Sequence, residues 1–277
     1  MQLPITYVDV FSDVPSRGNP VAVVHDADPL TAEQMQTVAR WLNLSETTFL
    51  LRPTDPGADY RVRIFTPGAE LPFAGHPTLG TCQAWLRQRQ ERPGASKVVQ
   101  QCQAGLIRIQ VDGRRASFEA PPLKTQEPDE ELLTQVRSAL GLRRKQVMAA
   151  SWLDNGSRWL GLILDSSETV LGIRPDHTVL ANLGKVGAIG RAPSGSDVHF
   201  EVRAFAAAIG VPEDPVTGSL NASFATWMAA RGGTPDGYTV AQGTCLQRLG
   251  RLHVQRSAEA IWIGGGTTVC STGRLEV

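Results

Sequence analysis

The amino-acid sequence predicts an α+β protein built from two similar halves. Strand-like segments outnumber helix-like segments and do not alternate with them regularly, which argues against the repeated strand–helix–strand order of a doubly wound sheet. A glycine-led helix start occurs once in each half, at Gly75 and at Gly218, and each helix carries a tryptophan further along, Trp85 and Trp227. A local pattern that occurs twice in this way favours an internal duplication. Two unrelated buried helices that merely look alike are the alternative.

Length and composition are those of a globular chain with a substantial core. The chain has 277 residues, of which 42% are hydrophobic and 19% charged, enough for one large domain or two ordinary ones. Basic and acidic residues number 27 each, so no excess of positive charge indicates a nucleic-acid partner. The N-terminal segment does not resemble a secretion signal, and no apolar run approaches the length that crosses a membrane. We therefore expect a cytoplasmic protein with neither nucleic acid nor membrane as partner.

The elements of the first half follow from alternation, capping and turn residues. Thr31 and Gln34 form a capping-box pattern before an apolar helix face. Gly18–Pro20 and Asp112–Gly113 have the composition of turns. Pro77 suits the first position of the helix that follows Gly75. The predicted strands are 6–11, 21–25, 47–51, 60–66 and a hairpin within 98–120, and the predicted helices are 31–44 and the segment from 77 onward.

The second half begins after the best candidate linker in the chain, residues 121–128. A helix is expected to end near Gly141, and Asn155–Gly156 predicts a hairpin turn. The predicted helices are 129–142, 176–184 and the one that Gly218 opens, and the predicted strands are 151–164 as a hairpin, 198–205, and the segments within 251–277.

Four polar residues and two helix starts are the candidates for chemistry. His76 is placed at a helix start, where free backbone N–H groups and the positive end of the helix dipole favour an anion. A histidine that falls by chance in a strand-to-helix loop is the plainer interpretation. Glu46 has mostly apolar or small neighbours and is expected to face either a closed pocket or solvent. Asp214 is expected to cap a turn or to act in catalysis, and Ser219 to cap its helix or to bind an anion.

The sequence lacks the signatures of several common enzyme classes. No phosphate-binding loop, serine-hydrolase elbow, H-E-x-x-H zinc motif or C-x-x-C pair is present. The four cysteines are far apart, which makes a zinc cluster or a disulfide framework improbable. We therefore expect neither a metal nor a cofactor. The remaining glutamate, histidine and aspartate suit the movement of a proton on a small acid.

Four motifs, in this order, carry a resemblance to a known family: VDVFSDVPSRGNPVAVV, LNLSETTFLL, RIFTPGAELPFAGHPTLGT and EDPVTGS. The chain resembles the phenazine-biosynthesis PhzF-like family over nearly its whole length. The resemblance implies the diaminopimelate epimerase-like fold, with two similar lobes that each wrap a curved, mainly antiparallel sheet or barrel around a central helix. The implied lobes are residues 1–120, with the C-terminal strand of about 265–277 packed back on them, and residues 121–264. In this family the active site lies in the cleft between the lobes.

The resemblance also implies an activity and a set of site residues. Characterised members isomerise dihydro-hydroxyanthranilate, an unsaturated ring acid, without a cofactor. Glu46 matches the glutamate that takes a proton from one ring carbon and returns it at another, and His76 and Asp214 match residues that place the substrate and support the transfer. The positions implied to bind substrate are Ser45, Gly75, Gly218, Ser219 and, as a wall of the cleft, Asn19. A homodimer is implied as well.

Two departures bear on the substrate and on the mechanism. Leu220 and Asn221 stand at the helix start, where phenazine enzymes tend to have small residues; they could reshape the pocket, which leaves the substrate open. Epimerases of the same fold use a cysteine at each helix start, whereas Cys82 here lies further along its helix. The first hypothesis is therefore an isomerase that acts on a small carboxylic acid. A non-catalytic protein that binds small carboxylates, and a racemase or dehydratase on the same scaffold, are the alternatives.

Overall fold

The computed structural model describes residues 1–89 and 96–277. By its internal contacts the chain divides into two units, Met1–Glu119 together with Gly264–Val277, and Ala120–Ile263. The elements before the boundary are β1 (Gln2–Val10), β2 (Asn19–Val24), α1 (Ala32–Leu42), β3 (Glu46–Leu51), β4 (Tyr60–Phe65), β5 (Glu70–Leu71), α2 (Gly75–Gln88), β6 (Ser96–Cys102), β7 (Gly105–Asp112) and β8 (Arg115–Glu119). Those after it are β9 (Lys124–Gln126), α3 (Glu130–Leu140), β10 (Val147–Asp154), β11 (Arg158–Leu164), α4 (Ser167–Leu171), α5 (His177–Leu180), β12 (Val186–Arg191), β13 (Phe200–Ala206), β14 (Val211–Asp214), α6 (Gly218–Arg231), β15 (Gly237–Gln242), β16 (Gly250–Arg256) and β17 (Ile261–Glu276).

Eight strands of the first unit pair in a closed ring. The order is β1, β2, β3, β4, β6, β7, β8 and β17, and β17 pairs again with β1. The pairs β2–β3 and β4–β6 are parallel. Parallel neighbours need a long crossover between them, and here the crossovers contain α1 and α2. The sheet is therefore a mixed barrel with few helices.

The second unit repeats this order of pairings. Strands β10–β11, β12–β13 and β15–β16 are antiparallel, whereas β11–β12 and β13–β15 are parallel. The short strand β14 pairs with β13 as β5 pairs with β4. Helices α4 and α5 lie in the first crossover and α6 in the second. The same pattern of pairing in both units is what an internal duplication produces.

One long, buried helix packs against the strands of each unit. Helix α2 contacts β1, β2, β3, β6 and β8, and α6 contacts β10, β11 and β16. In both units the close packing of helix on strand depends on a glycine. The glycine lies on the helix in the first unit and on a strand in the second. A Cβ atom on Gly80 of α2 would lie 2.3 Å from Cγ1 of Val21 in β2, whereas a Cβ atom on Gly187 of β12 would lie 2.5 Å from Cδ1 of Leu220 in α6.

The short-range predictions from the sequence are confirmed. Thr31 and Gln34 form both hydrogen bonds of the capping box at α1. Gly141 ends α3 in the left-handed conformation, at φ 67°. The hairpins at Asp112–Gly113 and Asn155–Gly156 both form, between β7 and β8 and between β10 and β11.

Three predictions were wrong in detail. The expected linker at 121–128 contains β9, which pairs with β10, so this polar segment gains its strand conformation from a partner and not from its own propensity. Only His177–Leu180 of the helix expected at 176–184 is α-helical. Pro77 is the third residue of α2 and not the first. The missing N–H of Pro77 still costs nothing there, because the first four N–H groups of a helix have no partner within it.

Candidate active site

Glu46 and His76 lie side by side in the first unit. Glu46 is the first residue of β3, opposite Val21 of the parallel strand β2, and His76 is the second residue of α2. The Oε2 atom of Glu46 is 3.6 Å from Nε2 of His76, and the two side chains are 17% and 4% exposed. A carboxylate and an imidazole at this distance, largely shielded from water, form a pair that can hold and move a proton.

Asn19 and Ser45 extend this pair into a chain of contacts. Asn19 is the first residue of β2 and is only 1% exposed. Its Nδ2 atom lies 3.4 Å from Nδ1 of His76, and its Oδ1 atom accepts a hydrogen bond of 3.3 Å from the hydroxyl of Ser45. The structure thus brings together Ser45, Asn19, His76 and Glu46, four residues that the sequence predicted for one site.

The N-terminus of α2 has no side-chain cap. Gly75 is the first helical residue, and Ala74 precedes it in an extended conformation without a side-chain hydrogen bond to the helix. Helix α6 begins in the same way at Gly218, after Thr217. The other four α-helices of the described residues begin at side chains that do cap them, namely Thr31, Asp129, Ser166 and Asp176. At α2 and α6 the side chain of the N-cap residue therefore does not compete with an anion for the N-terminal N–H groups.

The predicted residues of the second unit cluster where α6 begins. Asp214 ends β14, and its Oδ2 atom accepts a hydrogen bond of 2.6 Å from the hydroxyl of Thr217. Gly218 and Ser219 are the first two residues of α6. The backbone oxygen of Ser219 accepts a hydrogen bond of 2.9 Å from the side chain of Asn155. The helix start and Asp214 are thus tied to one network within this unit.

Gln242 organises that network, although sequence analysis did not select it. Its Nε2 atom donates to the backbone oxygen of Asp214 at 3.1 Å and to the hydroxyl of Thr217 at 2.9 Å. Its Oε1 atom accepts from the backbone N–H of Thr217 at 3.0 Å and from Asn221 at 2.8 Å. The first unit offers the matching arrangement, because Gln100 of β6 donates to Thr78, the fourth residue of α2 as Asn221 is of α6. The correspondence between Gln242 and Gln100 is visible only when the two units are compared.

Leu220 and Asn221 are both buried at the start of α6. Leu220 is fully buried and packs on Gly187 of β12, so it belongs to the core. Asn221 is 2% exposed, and its side chain donates to Gln242 and to the backbone oxygen of Thr217. Sequence distance from a helix start does not tell which way a side chain faces, since successive helical residues point about 100° apart.

Burial makes the thiol of Cys82 unsuited to acid–base chemistry. Cys82 is fully buried, and burial raises the pKa of its thiol to about 12, so this thiol is a poor base at neutral pH.

No group of three His, Cys, Asp or Glu residues is placed to hold a metal ion within 1–89 and 96–277. In the same ranges, no helix has both the length and the apolar character needed to span a membrane.

A cavity of about 350 Å³ lies elsewhere in the second unit. Its walls include Met228 and Arg231 near the C-terminal end of α6, and Ile189 and Phe200 of neighbouring strands. Because α6 has 14 residues, its two ends are about 20 Å apart. None of the predicted site residues lines this cavity, so volume alone does not locate the candidate site.

Comparisons with known proteins agree with the motifs. The family model described as phenazine biosynthesis-like protein, PhzC-PhzF, matches residues 8–273. The "Antisense-enhancing sequence 1" protein of Schizosaccharomyces pombe is 38% identical, with 96% of each chain covered. The trans-2,3-dihydro-3-hydroxyanthranilate isomerase of Pseudomonas aeruginosa is 31% identical, over 96% of this chain and 97% of that one. The crystal structure of a PhzF-family phenazine biosynthesis protein from Bacillus anthracis superposes with a TM-score of 0.83 at 24% identity and covers all of both chains. The chain therefore belongs to the phenazine biosynthesis-like PhzC-PhzF family.

Proposed function

We propose that this chain is an isomerase that moves a proton on a small unsaturated or cyclic carboxylic acid of the dihydro-hydroxyanthranilate type, by acid–base chemistry of its own side chains. The observation that carries this proposal is the distance of 3.6 Å between Glu46 Oε2 and His76 Nε2 at the uncapped start of α2. The relative from Pseudomonas aeruginosa, which is named as an isomerase of such an acid, supports the substrate class.

The proposed reaction uses Glu46 twice. Its carboxylate removes a proton from a ring carbon that is acidified by a neighbouring unsaturated group, and the carbon retains the electron pair. The resulting carboxylic acid then returns the proton to another carbon of the same conjugated system, so that the double bond shifts and the composition is unchanged. An N–H at Nε2 of His76 would stabilise the charged carboxylate, which keeps Glu46 deprotonated and ready to act before substrate binds and favours the return of the proton in the second step.

The carboxylate of the substrate needs a site of opposite polarity. In the proposed complex, the N-terminal N–H groups of α2 at Gly75 and the hydroxyl of Ser45 contribute to it, because an uncapped helix start favours a negative charge. Asp214, Gly218 and Ser219 are assigned to the same reaction by the family resemblance, and the uncapped start of α6 supports a role in binding an anion. These roles, the cytoplasmic location and the homodimer stay predictions.

A racemase that uses two thiols is the less favoured alternative. Cys82 lies seven residues beyond Gly75 within α2, is fully buried and has a thiol pKa of about 12. A two-base thiol mechanism needs a thiolate that reaches the substrate, and the residue at the corresponding start of α2 is His76.

Proton NMR in deuterated water tests the proposed function. Wild type, Glu46→Gln and the matched surface variant Glu33→Gln are each mixed with dihydro-hydroxyanthranilate and with a panel of small cyclic acids. We expect wild type and Glu33→Gln to shift the double bond or to introduce deuterium. Glu46→Gln should be slower by about 10²-fold or more, because a general base contributes about 10²–10⁴ to the rate. Full activity of Glu46→Gln on a true substrate would remove Glu46 from the mechanism and overturn the proposal.

A further inference from the structure

Asn19 lies between Ser45 and His76 with its amide in a defined orientation. The Oδ1 atom of Asn19 accepts from the hydroxyl of Ser45 at 3.3 Å, and Nδ2 lies 3.4 Å from Nδ1 of His76. An amide nitrogen donates hydrogen bonds and does not accept them. With the amide in this orientation, the neutral imidazole offers the lone pair of Nδ1 to Asn19, and the proton of the ring is on Nε2.

We propose that Asn19 is a positioning residue that sets the tautomer of His76, so that Nε2–H points at the carboxylate of Glu46. The inference rests on the proposed function of the Glu46–His76 pair. Asn19 is 1% exposed and acts through the imidazole rather than as a wall that touches substrate. In the opposite tautomer, the Nε2 lone pair would face the Glu46 oxygen 3.6 Å away, and the two would repel each other.

Asp9 holds the backbone immediately before Asn19 in place through hydrogen bonds. The Oδ2 atom of Asp9, a residue that is 2% exposed, accepts hydrogen bonds from the backbone N–H groups of Arg17 at 2.9 Å and Gly18 at 2.8 Å. Gly18 itself has no room for a side chain, since a Cβ atom there would lie 2.2 Å from the backbone oxygen of Val10. The residue that follows, Asn19, pairs with Val10 across β1 and β2. Strand pairing and a buried carboxylate thus fix the position from which Asn19 reaches His76.

The substitution Asn19→Asp isolates the tautomer, because it keeps the shape of the side chain. A carboxylate can still accept from the Ser45 hydroxyl, but it cannot donate to Nδ1. His76 must then carry a proton on Nδ1 to satisfy that carboxylate, which reverses the arrangement in wild type. Asn182→Asp is the matched control, since Asn182 is exposed in the second unit and its side chain donates to the backbone oxygen of Thr178 in the same segment.

The measurement is ¹⁵N NMR of protein labelled at its five histidines, with the signals of His76 identified by their loss in His76→Gln. We expect the Nε2–H tautomer of His76 in wild type and in Asn182→Asp, and a proton on Nδ1 in Asn19→Asp. In the deuterium-exchange assay, we expect kcat of Asn19→Asp to fall about 10²-fold while KM stays within a few-fold. The tautomer is read from the spectrum and does not depend on a known substrate.

Three results would overturn the proposal: a proton on Nδ1 in wild type, an unchanged Nε2–H tautomer in Asn19→Asp, or a reversed tautomer with wild-type kcat. If Asn19→Asp does not fold, the wild-type spectrum and Ser45→Ala decide instead. Ser45→Ala removes the hydroxyl from which Asn19 Oδ1 accepts, so the share of the Nε2–H tautomer should fall, and an unchanged share would contradict the proposed orientation. If wild type acts on none of the acids, the proposed function fails, whereas the spectra still decide the role of Asn19.

Discussion

Arg203 and Glu213 form a buried, two-point ion pair immediately before Asp214. The Nε and Nη2 atoms of Arg203 donate to the two carboxylate oxygens of Glu213 at 2.9 and 2.8 Å, and the side chains are 5% and 7% exposed. The Nη1 atom of Arg203 also donates to the backbone oxygen of Ile173 at 2.8 Å. The pair therefore ties β14, which carries Asp214, to β13 and to the segment after α4.

Removal of one partner of this pair is expected to be costly. Glu213→Gln should lower the free energy of unfolding by about 3–5 kcal/mol, because it leaves the guanidinium of Arg203 buried without its counter-charge. Glu70→Gln is the control. Glu70 makes the same two-point contact with Arg63, but both side chains are 30% exposed, and an exposed pair contributes about 1 kcal/mol or less. Urea unfolding measures both, and equal losses would contradict a role for burial.

Glu201 should make stability depend on pH near neutrality. Burial raises the pKa of Glu201 from 4.5 to about 7, although a hydrogen bond from Thr244 and the charges of Arg251 and Arg203 lower it. Between these two values the folded chain keeps a proton that the unfolded chain releases. The free energy of unfolding therefore falls as pH rises through this range, by an amount on the order of 3 kcal/mol when complete.

Glu201→Gln tests this dependence, since glutamine cannot ionise. Urea unfolding at pH 5 and at pH 8 should show that wild type loses more stability between the two values than Glu201→Gln does. Glu259→Gln, at an exposed position, should behave as wild type. An equal loss in wild type and Glu201→Gln would show that this carboxyl is already ionised at pH 5.

Short-range features of the fold were predictable because their causes lie within a few residues. The capping box of Thr31 and Gln34 and the left-handed Gly141 need only local backbone and side-chain contacts. Strand β9 at Lys124–Gln126 was not predictable in this way. All three of its residues are exposed and polar, and the segment is a strand only because β10 pairs with it. Which strands become neighbours is decided by the whole chain and not by local sequence.

In the candidate site, too, some residues were predictable from the sequence and others were not. Glu46 and His76 lie in motifs that the family resemblance identifies, and their side chains do meet. Gln242 is more than 20 residues from every group that it bonds, and no motif includes it. The packing of Leu220 on Gly187 was not predictable either, because the two residues are also remote in sequence. Packing partners of this kind become visible only once the strands are in register.

The cysteines should divide into two reactive and two protected thiols. Cys245 and Cys270 are exposed, although desolvation also raises the pKa of the Cys245 thiol. Cys82 and Cys102 are buried, and burial raises the pKa values of both thiols. Treatment of the native protein with iodoacetamide at pH 8, followed by peptide mass spectrometry, should show modification of the exposed pair. The buried pair should react only after unfolding in urea, because the thiolate is the reactive form. Modification of Cys82 at the rate of Cys270 would revive the thiol-based alternative.

The hydroxyl of Thr217 offers a test of Asp214 that leaves the carboxylate in place. Thr217 donates to Asp214 Oδ2 at 2.6 Å, and Thr217→Val keeps the shape of the side chain while it removes that hydrogen bond together with the one that the hydroxyl accepts from Gln242 Nε2 at 2.9 Å. A hydrogen bond to a charged group contributes about 1.5–3 kcal/mol, so kcat in the deuterium-exchange assay should fall by about 10- to 100-fold if the orientation of Asp214 matters to the reaction. Thr226→Val is the matched control, because the Thr226 hydroxyl bonds only the backbone oxygen of Ala222 within α6. Equal activity of the two variants would remove the orientation of the Asp214 carboxylate from the mechanism and leave Glu46 and His76 as its acid–base pair.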